Sequence, residues 1–120
     1  MAGAPPNRSR GKSLTIFRQV RDFKAVVIGA SAIGRQLALQ LVALGVSHLR
    51  VFDARVVTAT DVRAGGYRAD DIGRPRVDAV GDVCHQTNPR LDFVGIPRRI
   101  AAQDVNCEIV FCCAPSMAEK

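Results

Sequence analysis

AVVIGASAIGRQLALQLVALGVSHLRVFD, Ala25 to Asp53, reads as strand, turn, helix and second strand. Ala25-Val26-Val27-Ile28 is short, apolar and β-branched, the pattern of a buried parallel strand. Gly29-Ala30-Ser31-Ala32-Ile33-Gly34 is a tight turn. Ile33, Leu37, Leu41 and Leu44 then recur at helical spacing and predict an amphipathic helix with these four as its apolar stripe. Gly45 stops that helix as a C-terminal cap. His48–Phe52 is the second strand, and Asp53 stands at its tip. A strand–helix–strand unit with an acid at the second tip is a nucleotide-binding pattern.

In the full fingerprint G-x-G-x-x-G, the glycines allow the turn, let the backbone approach a phosphate and let the helix pack closely. Gly29 and Gly34 keep its first and last positions, and Ser31 stands at the middle one. Backbone N–H groups at the helix start, aided by the helix dipole, still suit an anion. Gly29, Ala30, Ser31, Ala32, Ile33 and Gly34 are therefore the cofactor-binding candidates of this loop. Ser31 either fills the space nearest the phosphate or caps the helix. Asp53 can accept from two ribose hydroxyls. Arg55 is either its salt-bridge partner or a receptor for a ribose 2′-phosphate, which keeps NAD(P) open as the cofactor.

Further along, Ala54–Asp71 has no clean period, is broken by Gly65-Gly66 and reads as a long functional or mobile connection. Pro75 marks the first turn of another helix, with Val77, Val80, Val83 and Cys84 inward and Gly81 weakening it. Asn88-Pro89 ends that helix. Leu91–Ile96 is a third strand, Arg98–Gln103 a short helical turn, and Glu108–Cys113 a fourth strand. Upstream, Ser13 caps a predicted helix over Leu14–Phe23. The order implies an α/β, Rossmann-like three-layer domain with a mostly parallel four-stranded sheet, strand order 3-2-1-4, half of a full domain. Residues 1–12 read as a disordered basic tail and 13–120 as a truncated nucleotide-binding domain.

The chain has 120 residues and a formal charge of +6, so one domain is expected. No apolar run reaches the ~18 residues of a membrane span. The first residues lack the apolar core of a secretory signal. Four cysteines without a C-x-x-C pair fit reduced thiols and a cytoplasmic location. The basic head carries no interleaved aromatics, so nucleic acid is not the expected partner. Gly11-Lys12-Ser13 follows no strand and lacks the upstream glycine of a phosphate loop. Cys112 and Cys113 read as buried, inert strand-end thiols rather than nucleophiles, and zinc lacks a spaced ligand set. No metal site is assigned. Asp70-Asp71 reads as a solvated loop.

The strings VVIGASAIG, LGVSHLRVFD, YRADDIGRPRVDAV, NPRLDFVGIP and EIVFCCAPS together resemble the ThiF/MoeB-type adenylyltransferases, the family that includes ubiquitin-activating enzymes. The most specific piece is Asp71-Ile72-Gly73-Arg74-Pro75-Arg76-Val77, followed at helix distance by Asn88-Pro89. A generic dinucleotide fold has no reason to carry that string. The match runs from about Ala25 to Ser116 and covers the first half of such a domain.

The resemblance implies that the chain binds ATP and Mg²⁺ and adenylates the C-terminal carboxylate of a ubiquitin-like or sulfur-carrier protein, commonly as a homodimer. It places the glycine loop on Gly29–Gly34 and the ribose acid on Asp53. Counting back from Tyr67, the arginine of its N-L-x-R-Q motif falls on Arg63, with the asparagine on Thr60 and the glutamine on Ala64. Shifting by one puts Asp61 under the asparagine and loses Arg63. The phosphate-binding lysine falls on Arg76, so Arg63 and Arg76 are the catalytic candidates. A second acid of the family is replaced by Arg55, and an acid that supports Mg²⁺ by Pro115, which removes a hard ligand. These departures point to a degenerate segment that is inactive alone. Two rival readings stand beside it: an NAD(P)-binding oxidoreductase or sensor domain, and a non-catalytic dimerising module.

Overall fold

Ala25–Ile28 is the centre of the sheet that the sequence predicts. The computed structural model describes residues 23–101, 104 and 109–113. Its elements are β1 (Lys24–Ile28), α1 (Ala32–Leu44), β2 (His48–Phe52), α2 (Ala59–Ala64), a 3₁₀ turn (Ala69–Asp71), α3 (Arg76–Thr87), β3 (Asp92–Ile96) and β4 (Ile109–Cys112). All strand pairs are parallel, in the order β3-β2-β1-β4. Strand order and Rossmann-like architecture are those expected from the sequence.

Register places Gly95, Val51, Val27 and Phe111 side by side, so their side chains share one face. On that face Ala25, Val27, Leu49 and Val51 join Ala38, Leu41 and Val42 of α1 and Val77, Val80 and Cys84 of α3 in the main core. The opposite face carries a smaller cluster of Val26, Ile28 and Phe52, with Ile96 and Ile100 against it. Of the helical layers expected on the two faces, the described residues supply the first. Gly81, unfavourable for helix, has a packing reason: a Cβ there would lie 2.7 Å from the Phe93 ring.

Four local expectations are corrected. The buried side of α1 is Gly34, Ala38, Leu41 and Val42, while Ile33 is 72% exposed and Leu44 is also exposed. Small residues bring α1 close to the sheet, which turns the large-residue stripe partly outward. Ala54–Asp71 is not structureless: Thr58 caps α2, Val57 and Tyr67 are buried, and Val57 exchanges backbone hydrogen bonds with Gly73 and Arg74. A six-residue helix is too short to leave a period. Residues 98–101 are not helical, because Asp104 ties the segment instead, accepting from the Arg98 guanidinium and the Ala101 N–H. Cys112 is exposed rather than buried.

Gly45 does cap α1, at φ 107°. Phe23, the described end of the predicted Leu14–Phe23 helix, is not helical. The rest of that helix and Pro115 lie outside the described residues.

Gly34 meets the strictest limit on the fold. A Cβ there would sit 1.7 Å from the Gly29 carbonyl oxygen, on rigid backbone. Urea titration of Gly34→Ala is expected to show a loss of about 3 kcal/mol from overpacking. Gly45→Ala, which adds only left-handed strain in open space, should cost about 1 kcal/mol. Equal losses in the two variants would contradict this packing argument.

Candidate functional site

The loop after β1 is built from the strand end outward. Gly29 turns the chain at φ 94°, and its N–H donates to the Phe52 carbonyl at 2.7 Å. The Ala30 N–H donates to Asp53 Oδ2 at 2.7 Å, and the Ala30 carbonyl accepts from the Tyr67 hydroxyl. These three backbone groups of Gly29 and Ala30 are thus spent on holding the loop. Ser31 occupies the N-cap position of α1, but its side chain makes no capping hydrogen bond. The first bond of α1 runs from the Arg35 N–H to the Ser31 carbonyl at 2.8 Å. The N–H groups of Ala32, Ile33 and Gly34 therefore have no carbonyl within the helix, and the positive end of its dipole lies beside them.

Asp53 is fixed from three sides. Besides Ala30, its Oδ1 accepts from the Arg55 N–H at 2.7 Å, and its Oδ2 from Arg76 Nη1 at 3.2 Å. Its ionic partner is therefore Arg76, not Arg55. The Arg55 side chain is exposed and lines an open hollow of about 560 Å³ with Ala54, Val56, Thr58, Thr60, Asp61 and Arg76. None of Gly29–Gly34 contributes to the wall of this hollow.

Asp61, named from the sequence only as the alternative match to the motif's asparagine, joins Asp53 and Arg76 in the structure. It caps α2 reciprocally with Thr58, Oδ2 accepting the Thr58 N–H at 2.9 Å. The same carboxylate takes the Arg76 guanidinium as a fork, Nη2 to Oδ1 at 2.8 Å and Nε to Oδ2 at 3.1 Å. The side chains of Arg76, Asp53 and Asp61 are 11%, 7% and 8% exposed. Burial pushes the Asp61 carboxyl up, but Arg76 and the Thr58 donors outweigh it and leave it below its ordinary value. Burial likewise opposes the charge on Arg76, and Asp61 and Asp53 together still raise it. The capping pattern Thr58-Ala59-Thr60-Asp61 was the available signal for Asp61.

Burial, above all, raises the Tyr67 hydroxyl, so it stays a hydrogen-bond donor to the loop. Arg35 lies over the Tyr67 ring, 5.4 Å from its centroid, in the space left by Gly66. Arg63 is exposed on α2 and does not line the hollow. Asp71 is buried rather than solvated, and accepts from Arg74 at 2.8 Å. No group of three His, Cys, Asp or Glu among the described residues is placed to hold a metal ion.

Comparison with models of protein families matches residues 11–117 to the ThiF family. The DNA damage tolerance protein RHC31 of Saccharomyces cerevisiae is 28% identical over 81 residues, 67% of this chain and 23% of that protein. The adenylyltransferase and sulfurtransferase uba4 of Emericella nidulans is 27% identical over 77 residues, 63% of this chain and 16% of that protein. Among solved structures, E. coli MccB with ATP superposes with a TM-score of 0.80 at 16% identity, covering 87% of this chain and 32% of that one. The chain thus spans less than a quarter of these two relatives and about a third of MccB.

The folded-state carboxyl of Asp61 lies below its ordinary value of 3.8. Its ion pair therefore stabilises fully above that pH and is lost as pH falls through the lowered value. Asp61→Asn should cost about 2 kcal/mol at pH 6, because Arg76 keeps Asp53 as a second carboxylate. The gap to the wild-type chain should narrow as pH falls below 3.8. Urea titrations across that range check this, and a gap independent of pH would count against it.

Proposed function

The chain belongs to the ThiF family, and on that footing we propose that it holds ATP at the carboxyl ends of β1 and β2. We read it as the nucleotide-binding segment of an adenylyltransferase that activates the C-terminal carboxylate of a ubiquitin-like or sulfur-carrier protein. The observation that carries this reading is the destination of the Asp71–Val77 string. Arg76, from within that string, reaches back to Asp53 at 3.2 Å and joins the family's most specific sequence to the ribose acid. A generic dinucleotide fold needs no such bridge.

The residues fit a nucleotide at three levels. The α1 start offers free backbone donors and a positive dipole to phosphate. Asp53 offers an acceptor to the ribose. Arg55 and Arg63 make no ion pair among the described residues, so their forks are free for phosphate oxygens. Arg76 serves differently, since its side-chain hydrogen bonds go to the carboxylates of Asp61 and Asp53 and it positions Asp53. ATP would supply the activated phosphorus: the carrier carboxylate oxygen attacks the α-phosphorus and pyrophosphate leaves. In such a step the protein's part is orientation and charge neutralisation. Asp53 and Asp61 are both paired to Arg76, so no role for Mg²⁺ is assigned to them. This segment by itself binds nucleotide weakly and turns over little.

Titration calorimetry should show ATP binding to the chain and no comparable binding of NAD. Asp53→Ala should weaken ATP at least tenfold, since a hydrogen bond to a charged group contributes about 1.5–3 kcal/mol. Tight NAD binding with no ATP binding would overturn the reading in favour of an oxidoreductase-type site.

A further inference from the structure

Asp53 has fewer free acceptor positions than a ribose-binding acid is expected to offer. An ionised carboxylate has about four lone-pair positions, two on each oxygen. Oδ2 already accepts from the Ala30 N–H at 2.7 Å and from Arg76 Nη1 at 3.2 Å. Oδ1 accepts from the Arg55 N–H at 2.7 Å. Three of the four are taken, and the one that remains is on Oδ1.

Neither backbone donor can be withdrawn without moving the glycine turn or the Asp53–Arg55 corner. Arg76 is held more firmly still. Its Nε and Nη2 grip both oxygens of Asp61 as a planar fork, its backbone N–H donates to the Arg55 carbonyl at 3.0 Å, and its side chain is nearly buried. A paired fork of this kind has a fixed geometry and does not swing aside for a neutral hydroxyl.

Resting on the nucleotide reading above, we propose that Asp53 grips the ribose through a single hydroxyl, so the site does not distinguish ribonucleotides from 2′-deoxyribonucleotides. Either of the two neighbouring hydroxyls can donate to the one open position on Oδ1. When the 2′-hydroxyl is missing, the 3′-hydroxyl takes it. The specificity class is therefore an adenine nucleotide carrying at least one free hydroxyl on its sugar. A grip through both hydroxyls would need Oδ2, which the Arg76–Asp61 pair closes.

The test needs no substitution. The wild-type chain is titrated by calorimetry with ATP, 2′-deoxy-ATP and 2′,3′-dideoxy-ATP under one buffer. The expected result is ATP and 2′-deoxy-ATP within threefold of each other, with the dideoxy compound weaker by about tenfold. A 2′-deoxy-ATP affinity threefold or more below ATP overturns the single-hydroxyl grip and leaves nucleotide binding intact. Equal affinity for all three overturns the contact of Asp53 with the sugar. Absence of binding by any of them overturns the nucleotide reading itself, and this inference with it.

Discussion

Two buried carboxylates share one arginine, and the rest of the site depends on how that charge is settled. Asp53 comes from the end of β2, Asp61 from the first turn of α2, and Arg76 from the first turn of α3. Removing ions from water costs several kcal/mol each, so such a group persists only with close geometry and further hydrogen bonds. Both conditions hold. Asp53 takes two backbone donors, Asp61 takes the Thr58 N–H, and no buried polar side-chain atom among the described residues lacks a partner. The triad thereby fixes the end of β2 and the starts of α2 and α3 to one another.

Tyr67 extends the same constraint to the glycine loop. Its hydroxyl donates to the Ala30 carbonyl while the Ala30 N–H donates to Asp53, so one residue is held by both its backbone N–H and its carbonyl. The loop is thus pre-shaped, and an anion at the α1 start, as proposed above, would not have to order it. Gly34 fits this arrangement, because its Cα rests against the Gly29 carbonyl with no room for a side chain. Loop, acid and arginine act as one mechanical unit.

Much of this was legible in the sequence wherever the period was long or the motif specific. The four strands, α1 with its Gly45 cap, and α3 after Pro75 follow from apolar runs and end signals in the chain. The rest depends on facts that a one-dimensional pattern does not carry. The stripe of Ile33, Leu37, Leu41 and Leu44 misjudges the inner side of α1, because Gly34 and Ala38 set the distance to the sheet and large side chains follow. Asp61 was one of two possible matches to a motif position, and composition alone could not choose between them. In the structure Asp61 is buried and Thr60 is exposed.

The register with Asp61 at the asparagine position gives Arg76 a distinct meaning. In that register this chain has a carboxylate and an arginine where the family resemblance implies an uncharged asparagine and a lysine. The two departures are complementary: an added buried negative charge requires a partner, and a guanidinium can satisfy both carboxylate oxygens at once where an ammonium would act as a point donor. Once committed to Asp61, the same fork has one nitrogen left, and Asp53 accepts it. On the nucleotide reading proposed above, Arg76 would be part of the floor under the sugar. Neutralisation of phosphate would then fall to the helix start and to cations that have no carboxylate of their own. The cation at the family's phosphate-binding position is thereby committed to holding Asp53 and, through Ala30, the glycine loop in place.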